Sequence, residues 1–132
     1  MNRQDKKRLA RSGKPLIKLH VLGAAGGVTG SLNLIEYTEK GVVTRFLLDA
    51  GLTVENESAD FKNRLPSGLQ AQDIDFIIIS HAHIDHSGLL PKLVKDGFKG
   101  RAYVTEATRE LLEIMLPDSG YLQEENRSGP WN

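Results

Sequence analysis

Three of the four histidines of this chain fall within six residues, in the segment His81-Ala-His83-Ile-Asp85-His86. Average composition produces such a pattern in a chain of this length roughly once in ten thousand sequences. Neutral imidazoles and a carboxylate are ligands that zinc, iron and manganese accept. The other interpretation is three surface histidines and a helix-capping aspartate, but dense motifs in the expected context rarely mislead. The segment therefore predicts a metal site.

The spacing within the segment predicts how the ligands are shared. His81 and His83 lie two residues apart, so in an extended segment both point to one side and can bind one ion. A turn into a following helix re-aims Asp85 and His86 toward a second ion. Such a pair of ions lowers the pKa of a shared water and clamps the oxygens of a phosphate or acyl group. We therefore expect a hydrolytic centre with two divalent ions, zinc being favoured and manganese the alternative.

Asp49 ends the hydrophobic segment LLDAG and is a candidate for a supporting role. A carboxylate there can hold the non-ligating nitrogen of a metal-bound histidine. The alternative is a strand-end aspartate before a glycine turn; beside the histidine segment, the supporting role is favoured. The glycine-rich segment 23–31 lacks the endings of phosphate-binding and dinucleotide-binding loops. Its glycines are expected to let the backbone turn tightly beside the metal site: Gly23, Gly26, Gly27 and Gly30.

The elements that must position these residues form a mixed α/β (α+β) pattern. Alternating or continuous apolar runs predict strands over residues 16–22, 31–37, 42–50, 75–80 and 101–104, with a hairpin turn at 39–41. The run 75–80 is typical of a strand buried on both faces. Helices are predicted over 87–97, with Pro91 in the first turn and Gly97 at the end, and over 105–116, ended by Pro117. The stripe Leu111–Met115 is interpreted as core, and His20 as structural.

Composition and charge narrow the class of protein. The absence of cysteine excludes disulfides and thiolate ligands, and no apolar run spans a membrane, so a cytoplasmic protein is expected. Residues 1–18 carry seven basic groups and one acidic group, and the remainder carries ten and sixteen. The basic segment 1–18 can contact phosphates. The alternative is that it is a solvated leader. We expect a basic flexible leader over 1–15, an ordered domain over 16–125 and a disordered tail over 126–132.

The chain resembles the metallo-β-lactamase superfamily through the segment 81–86 and the LLDAG around Asp49. More narrowly it is similar to the β-CASP RNA-processing nucleases. The matching segments are LGAAGGVTGS at 22–31, SHAHIDHSGLLPKLVKDGFKG at 80–100, YVTEATRELL at 103–112 and LPDSGYLQEE at 116–125. The resemblance implies the N-terminal half of a four-layer αββα sandwich and zinc-dependent cleavage of RNA. It also implies that His81 and His83 bind one zinc, that Asp85 and His86 bind the other, and that Asp85 orients the attacking hydroxide.

The chain also departs from that family, because it has no histidine after position 86 to supply the later ligands. We therefore expect an N-terminal fragment that lacks full activity and leaves one sheet face uncovered. Its expected partners are RNA and either the missing C-terminal half or another copy. The competing interpretations are a metallo-hydrolase of another ester or lactone class and a non-catalytic metal-binding or interaction module. Endonucleolytic and exonucleolytic cleavage both stay open.

Overall fold

The computed structural model describes residues 2–24, 30–52 and 65–127, and within these ranges the strands form one mixed sheet. In sheet order the strands are β1 (Leu16–Val21), β2 (Leu32–Glu39), β3 (Val42–Ala50), β4 (Phe76–Ile78) and β5 (Arg101–Tyr103). The pairs β1–β2 and β2–β3 are antiparallel, whereas β3–β4 and β4–β5 are parallel. The helices are α1 (Arg3–Arg11), α2 (Ile84–Ser87), α3 (Leu90–Lys95) and α4 (Glu106–Arg127). The predicted mixed α/β class is confirmed.

The turn between β2 and β3 is set by two residues with left-handed backbone. Lys40 has φ of 48° and Gly41 has φ of 79°. Two such residues between antiparallel strands match the right-handed twist of a hairpin. The predicted hairpin is confirmed, and it aligns β3 so that its far end reaches the histidine segment.

One face of the sheet is covered by the loops and helices that follow β4. Leu34, Leu47 and Ile77 share this face by register and are buried, together with Leu89 and Leu93. The full buried cluster comprises Leu32, Leu34, Leu47, Ala50, Ala71, Ile74, Ile77, Ile79, Leu89, Leu93 and Phe98. As predicted, Pro91 lies in the first turn of α3 and Gly97, with φ of 114°, follows its end. The helix predicted over 87–97 is shorter than expected, since α3 spans only Leu90–Lys95, and the sequence pattern did not predict α2 before it.

The opposite face, here called the open face, is apolar and has no covering layer among the described residues. By register it carries Ile17, Leu19, Val21, Ile35, Phe46, Leu48, Phe76, Ile78 and Tyr103. Ile17 is 66% exposed and Leu19 62% exposed. The expectation of an uncovered sheet face is confirmed. The prediction that the β4 run is buried on both faces is wrong, because Ile78 points to the open face and is 37% exposed.

Two expectations for α4 are wrong. The helix does not end before Pro117 but continues to Arg127, because an internal proline removes one main-chain hydrogen bond and kinks a helix without always ending it. The stripe Leu111–Met115 is not core as a whole. Leu112 is buried, but Leu111 is 51% and Ile114 71% exposed, since no described residue packs on that side of the helix.

Residues 3–11 form a helix, an element that the sequence pattern did not predict. The assignment of 1–15 to a flexible leader and of 16–125 to one domain stays a prediction. Gly26, Gly27 and most of the predicted tail lie outside the described residues. No helix in the described part of the chain is both long and apolar enough to cross a membrane.

Candidate metal centre

The histidine segment lies where the chain leaves β4 and enters α2. His81, Asp85 and His86 each offer a ligand atom, and these atoms lie within 4.8 Å of one another. The ring centroids of His81 and His86 are 3.9 Å apart. Nε2 of His86 lies 3.4 Å from Oδ2 of Asp85. The structure thus brings two imidazoles and one carboxylate to a common point.

His83 lies beside this group rather than in it. Its ring centroid is 5.0 Å from that of His81, and its backbone caps the start of α2. The side chain is exposed, whereas those of His81 and His86 are half-buried. The predicted division of ligands, with His81 and His83 on one ion and Asp85 and His86 on the other, stays a prediction.

Asp49 is directed into the site by an irregularity in β3. Leu48 and Ala50 pair with the consecutive residues Asn33 and Leu32 of β2, so Asp49 is the extra residue of a β-bulge. Its φ is 63°, in the left-handed region that aspartate tolerates better than most residues. A bulge of this kind re-aims the side chain. The carboxylate, in a residue only 8% exposed, is thereby turned toward the histidine segment.

The Asp49 carboxylate accepts three hydrogen bonds. Its Oδ1 accepts the backbone N–H of Ser80 at 2.8 Å. Its Oδ2 accepts the Ser80 hydroxyl at 3.0 Å and Nδ1–H of His86 at 2.8 Å. Burial alone would raise the pKa of Asp49, but the hydrogen bonds from His86 and Ser80 outweigh burial and lower this pKa below its ordinary value. Asp49 is therefore an ionised acceptor.

This hydrogen-bond network fixes which nitrogen of each histidine is free. Because an ionised carboxylate only accepts, Nδ1 of His86 carries a proton, so in the neutral ring Nε2 is the nitrogen with the lone pair. The single hydroxyl proton of Ser80 goes to Asp49, so Ser80 Oγ accepts Nδ1–H of His81 at 3.0 Å. Nε2 of His81 is then also free. One carboxylate thus prepares both rings as ligands, one directly and one through Ser80.

The backbone around the site is held by close packing of three segments. Ser31 N–H donates to Asp85 O at 2.8 Å, and Gly51 N–H donates to Ser31 O at 2.8 Å. A Cβ at position 51 would lie 1.8 Å from Asp85 O, so only glycine fits there. A Cβ at Gly23 would lie 1.9 Å from the carbonyl oxygen of Gly30, and Gly30 itself has φ of 83°, so two of the glycines expected to allow a tight turn are accounted for. These contacts fix the distance between α2 and the end of β3.

Two serines take part in the site although the sequence pattern did not single them out. Ser80 links Asp49 to His81, as described above. Ser87 is fully buried, and its hydroxyl lies 3.0 Å from both the Ala82 and the His83 carbonyl oxygens. Both serines are immediate neighbours of the histidine segment in the sequence, and this position is the sequence feature that indicates a role in the site. Their partners, however, depend on the turn into α2.

The donor set fits a divalent metal ion. Tetrahedral zinc with ligands at about 2.1 Å spaces neighbouring donor atoms about 3.4 Å apart. Nε2 of His86 and Oδ2 of Asp85 show this separation, at 3.4 Å. Nδ1 of each of the two rings is hydrogen-bonded, which leaves Nε2 of the neutral ring for a metal ion, as in most metal-ligating histidines.

Comparison with known proteins assigns the family. The sequence profile of the metallo-beta-lactamase superfamily matches residues 25–125. The chain therefore belongs to the metallo-β-lactamase superfamily, as its sequence predicted.

Three curated relatives lie in the RNA-processing branch that the sequence resembles. The chain is 40% identical over 108 residues to ribonuclease TTHA0252 of Thermus thermophilus, covering 82% of this chain and 24% of the relative. It is 32% identical to the transcription termination factor FttA of Methanocaldococcus jannaschii, covering 86% and 17%. It is 36% identical to the cleavage and polyadenylation specificity factor 73 of Drosophila melanogaster, covering 78% and 14%. The chain thus spans less than a quarter of the length of each of these relatives.

Proposed function

We propose that this chain carries the metal-binding part of a phosphodiester hydrolase that acts on RNA. The observation that carries the proposal is the convergence of His81, Asp85 and His86, prepared as ligands by Asp49. The relatives named as a ribonuclease and as termination and cleavage factors support RNA as the substrate. Two divalent ions are proposed, zinc being favoured because the donors are imidazole and carboxylate.

The residues of the chain then have separate tasks. When bound, a divalent ion supplies Lewis acidity toward a phosphate ester and lowers the pKa of water. His81 and His86 bind through Nε2, with their orientation set by Ser80 and Asp49. Asp85, whose side chain is 35% exposed, offers a carboxylate that can orient a water and hold its proton. Asp49 stays ionised and hydrogen-bonded and does not take part in proton transfer.

We also propose that full activity needs a further layer of protein on the open face. The whole sequence has no histidine after position 86, so any ligand that follows the segment 81–86 must be an aspartate or glutamate or come from another polypeptide. The apolar open face supports the same interpretation, since contiguous apolar patches of this kind mark contact surfaces. The missing C-terminal half of the family fold and a second copy are the two candidate occupants.

The test compares the turnover of four classes of substrate in the same buffer and with the same metal ion. The purified chain is incubated with zinc or manganese and with a labelled single-stranded RNA, a thioester, a lactone and a β-lactam. We expect slow, metal-dependent cleavage of RNA that is lost in Asp85→Asn, with no turnover of the other substrates. Faster turnover of a lactone or thioester would assign another hydrolase class. Specific metal binding without turnover of any substrate would favour the non-catalytic module.

A further inference from the structure

The helix α1 carries five of the 17 basic residues of the chain within nine positions. Residues 2–18 carry seven basic groups against Asp5, a net charge of +6, and the rest of the chain carries −6. In an α-helix, residues four apart lie on one stripe, about 6 Å apart along the axis. Arg3, Lys7 and Arg11 therefore form one stripe, flanked by Lys6 and Arg8. We call these five side chains the basic strip.

The one carboxylate of this region is occupied in capping the helix. Asn2 Oδ1 accepts the backbone N–H groups of Gln4 at 2.8 Å and Asp5 at 2.9 Å. Asp5 Oδ2 in return accepts the Asn2 N–H at 3.1 Å. This reciprocal pair is a capping box, which starts the helix at Arg3. By helical geometry Asp5 also lies on the side opposite the basic strip, so it does not neutralise the strip.

The cations of the strip have no ion-pair partner among the described residues. Ion pairs in that part of the chain involve His20, Arg45, His86, Lys92 and Arg109, and none involves α1. The five side chains are exposed. Like charges one turn apart repel each other, and a cation in the first turn of a helix opposes the helix dipole. A polyanion bound along the strip would relieve both costs.

We propose that the basic strip binds the phosphate backbone of single-stranded RNA without reading its sequence. The inference rests on the proposed function, which makes RNA the substrate. The strip precedes the residues matched by the superfamily, 25–125, so it would be an addition to the shared domain rather than a part of it. An anionic membrane is less favoured, because the sequence of α1, RQDKKRLAR, lacks the apolar half that membrane-inserting helices have.

The test measures how RNA binding depends on salt. A fluorescent 20-nucleotide oligouridylate is titrated with the full chain at several NaCl concentrations in EDTA, so that neither the metal site nor cleavage contributes. Each phosphate contact to a single strand contributes about 0.7 to the slope of log K against log salt. The variant Arg3→Gln/Lys7→Gln/Arg11→Gln is expected to lower this slope by about 2, since three contacts are lost. Glutamine keeps the helix propensity, which circular dichroism checks.

A matched control removes the same charge elsewhere. Lys95, Lys99 and Arg101 are exposed and lie on the body of the protein. Their triple change to glutamine is expected to leave the slope unchanged. Equal slopes for the two triple variants, no RNA binding by the parent chain, or tighter binding to phosphatidylserine vesicles than to RNA would each overturn the proposal. Failure of RNA hydrolysis leaves this measurement intact, because it is made without metal.

Discussion

At the scale of single residues, the orientation of two histidines depends on the Asp49 carboxylate. The β-bulge gives this residue a φ of 63°, a conformation that costs a non-glycine residue free energy. The three hydrogen bonds from Ser80 and His86 offset that cost. The strain is thus part of the site, because a regular β3 would direct the carboxylate elsewhere.

Ser80→Ala tests the link from Asp49 to His81 that passes through the Ser80 hydroxyl. Without the hydroxyl, Nδ1 of His81 loses its acceptor and the ring loses its fixed proton position. We expect zinc affinity to fall about 10-fold to 100-fold, measured by isothermal titration calorimetry. Ser80→Thr keeps the hydroxyl at an exposed position and should keep the affinity. Nitrogen-15 shifts of His81 should show mixed ring tautomers in the alanine variant; an unchanged affinity and a single tautomer there would contradict the network.

A second prediction concerns Glu36 and the free energy of unfolding at acid pH. Burial alone would raise its pKa, but hydrogen bonds from His20, at 2.6 Å, and Arg45, at 3.1 Å, lower the pKa of Glu36 in the folded protein. A lowered folded pKa stabilises the fold above the unfolded value of about 4.3, and this contribution is lost as pH falls through the folded pKa. Glu36→Gln should therefore be less stable than the parent at pH 7, with the difference shrinking below about pH 4.

Urea unfolding at several pH values measures this difference. Glu110→Gln is the control, because Glu110 is exposed and makes no ion pair among the described residues. A pH-independent difference for Glu36→Gln would show that packing rather than charge accounts for it.

At the scale of elements, the site depends on how closely α2 approaches the end of β3. Gly51 N–H donates to Ser31 O at 2.8 Å, and Leu52 N–H donates to Ile84 O at 3.1 Å. Ser31 N–H in turn donates to Asp85 O at 2.8 Å. These bonds leave no space for a side chain at position 51. The strands and α2 are therefore coupled through backbone atoms as well as through the Asp49–His86 hydrogen bond.

Gly51→Ala is expected to separate these elements. Its Cβ would lie 1.8 Å from Asp85 O, which the backbone must relieve by moving. We expect a loss of roughly 3 kcal/mol in the free energy of unfolding together with weaker zinc binding. Gly120→Ala in α4 is the control, since its Cβ would meet nothing within 4 Å and should be neutral or stabilising. Equal stability of the two variants in urea unfolding would show that α2 leaves room for a side chain at position 51.

The elements also show what the sequence could and could not predict. Strands β2 and β3 and their turn follow from local alternation and from the residues Lys40 and Gly41. The metal ligands follow from their spacing. The bulge at Asp49 depends on register with β2, and the exposure of Ile78 depends on a layer across the sheet, neither of which is a local property. Pro117 was misread because one lost hydrogen bond does not outweigh the remaining bonds of a long helix.

For the molecule as a whole, the main open question is what covers the open face, which no described residue does. Its apolar side chains include a stacked pair, Phe46 and Phe76, with ring centroids 4.7 Å apart. Tyr103 meets Phe76 edge-on at 5.7 Å and is 54% exposed. The other face of the sheet is covered by helices and holds the buried cluster. Both faces are therefore rich in apolar side chains, but only one is covered by described residues.

We predict that the isolated chain associates through the open face as its concentration rises. Ile17→Lys/Leu19→Lys places charges on the exposed strand β1 and should reduce association, measured by size-exclusion chromatography with light scattering. Both side chains are more than half exposed, so the change should alter stability little. Val94→Lys/Ile114→Lys, at residues 55% and 71% exposed on α3 and α4, is the control that adds the same charge away from the open face. A monomer at all concentrations, or equal effects of both variants, would contradict association through this face.

The metal content of the purified chain tests whether His81, Asp85 and His86 form a metal-binding centre. Zinc and manganese are measured by inductively coupled plasma mass spectrometry after equilibrium dialysis. His81→Ala/His86→Ala is compared with His20→Ala, which changes the histidine outside the segment. We expect about two ions per chain in the parent and in His20→Ala, and a loss of specific metal in the double variant. No specific metal in the parent, or the same content in all three proteins, would contradict the claim.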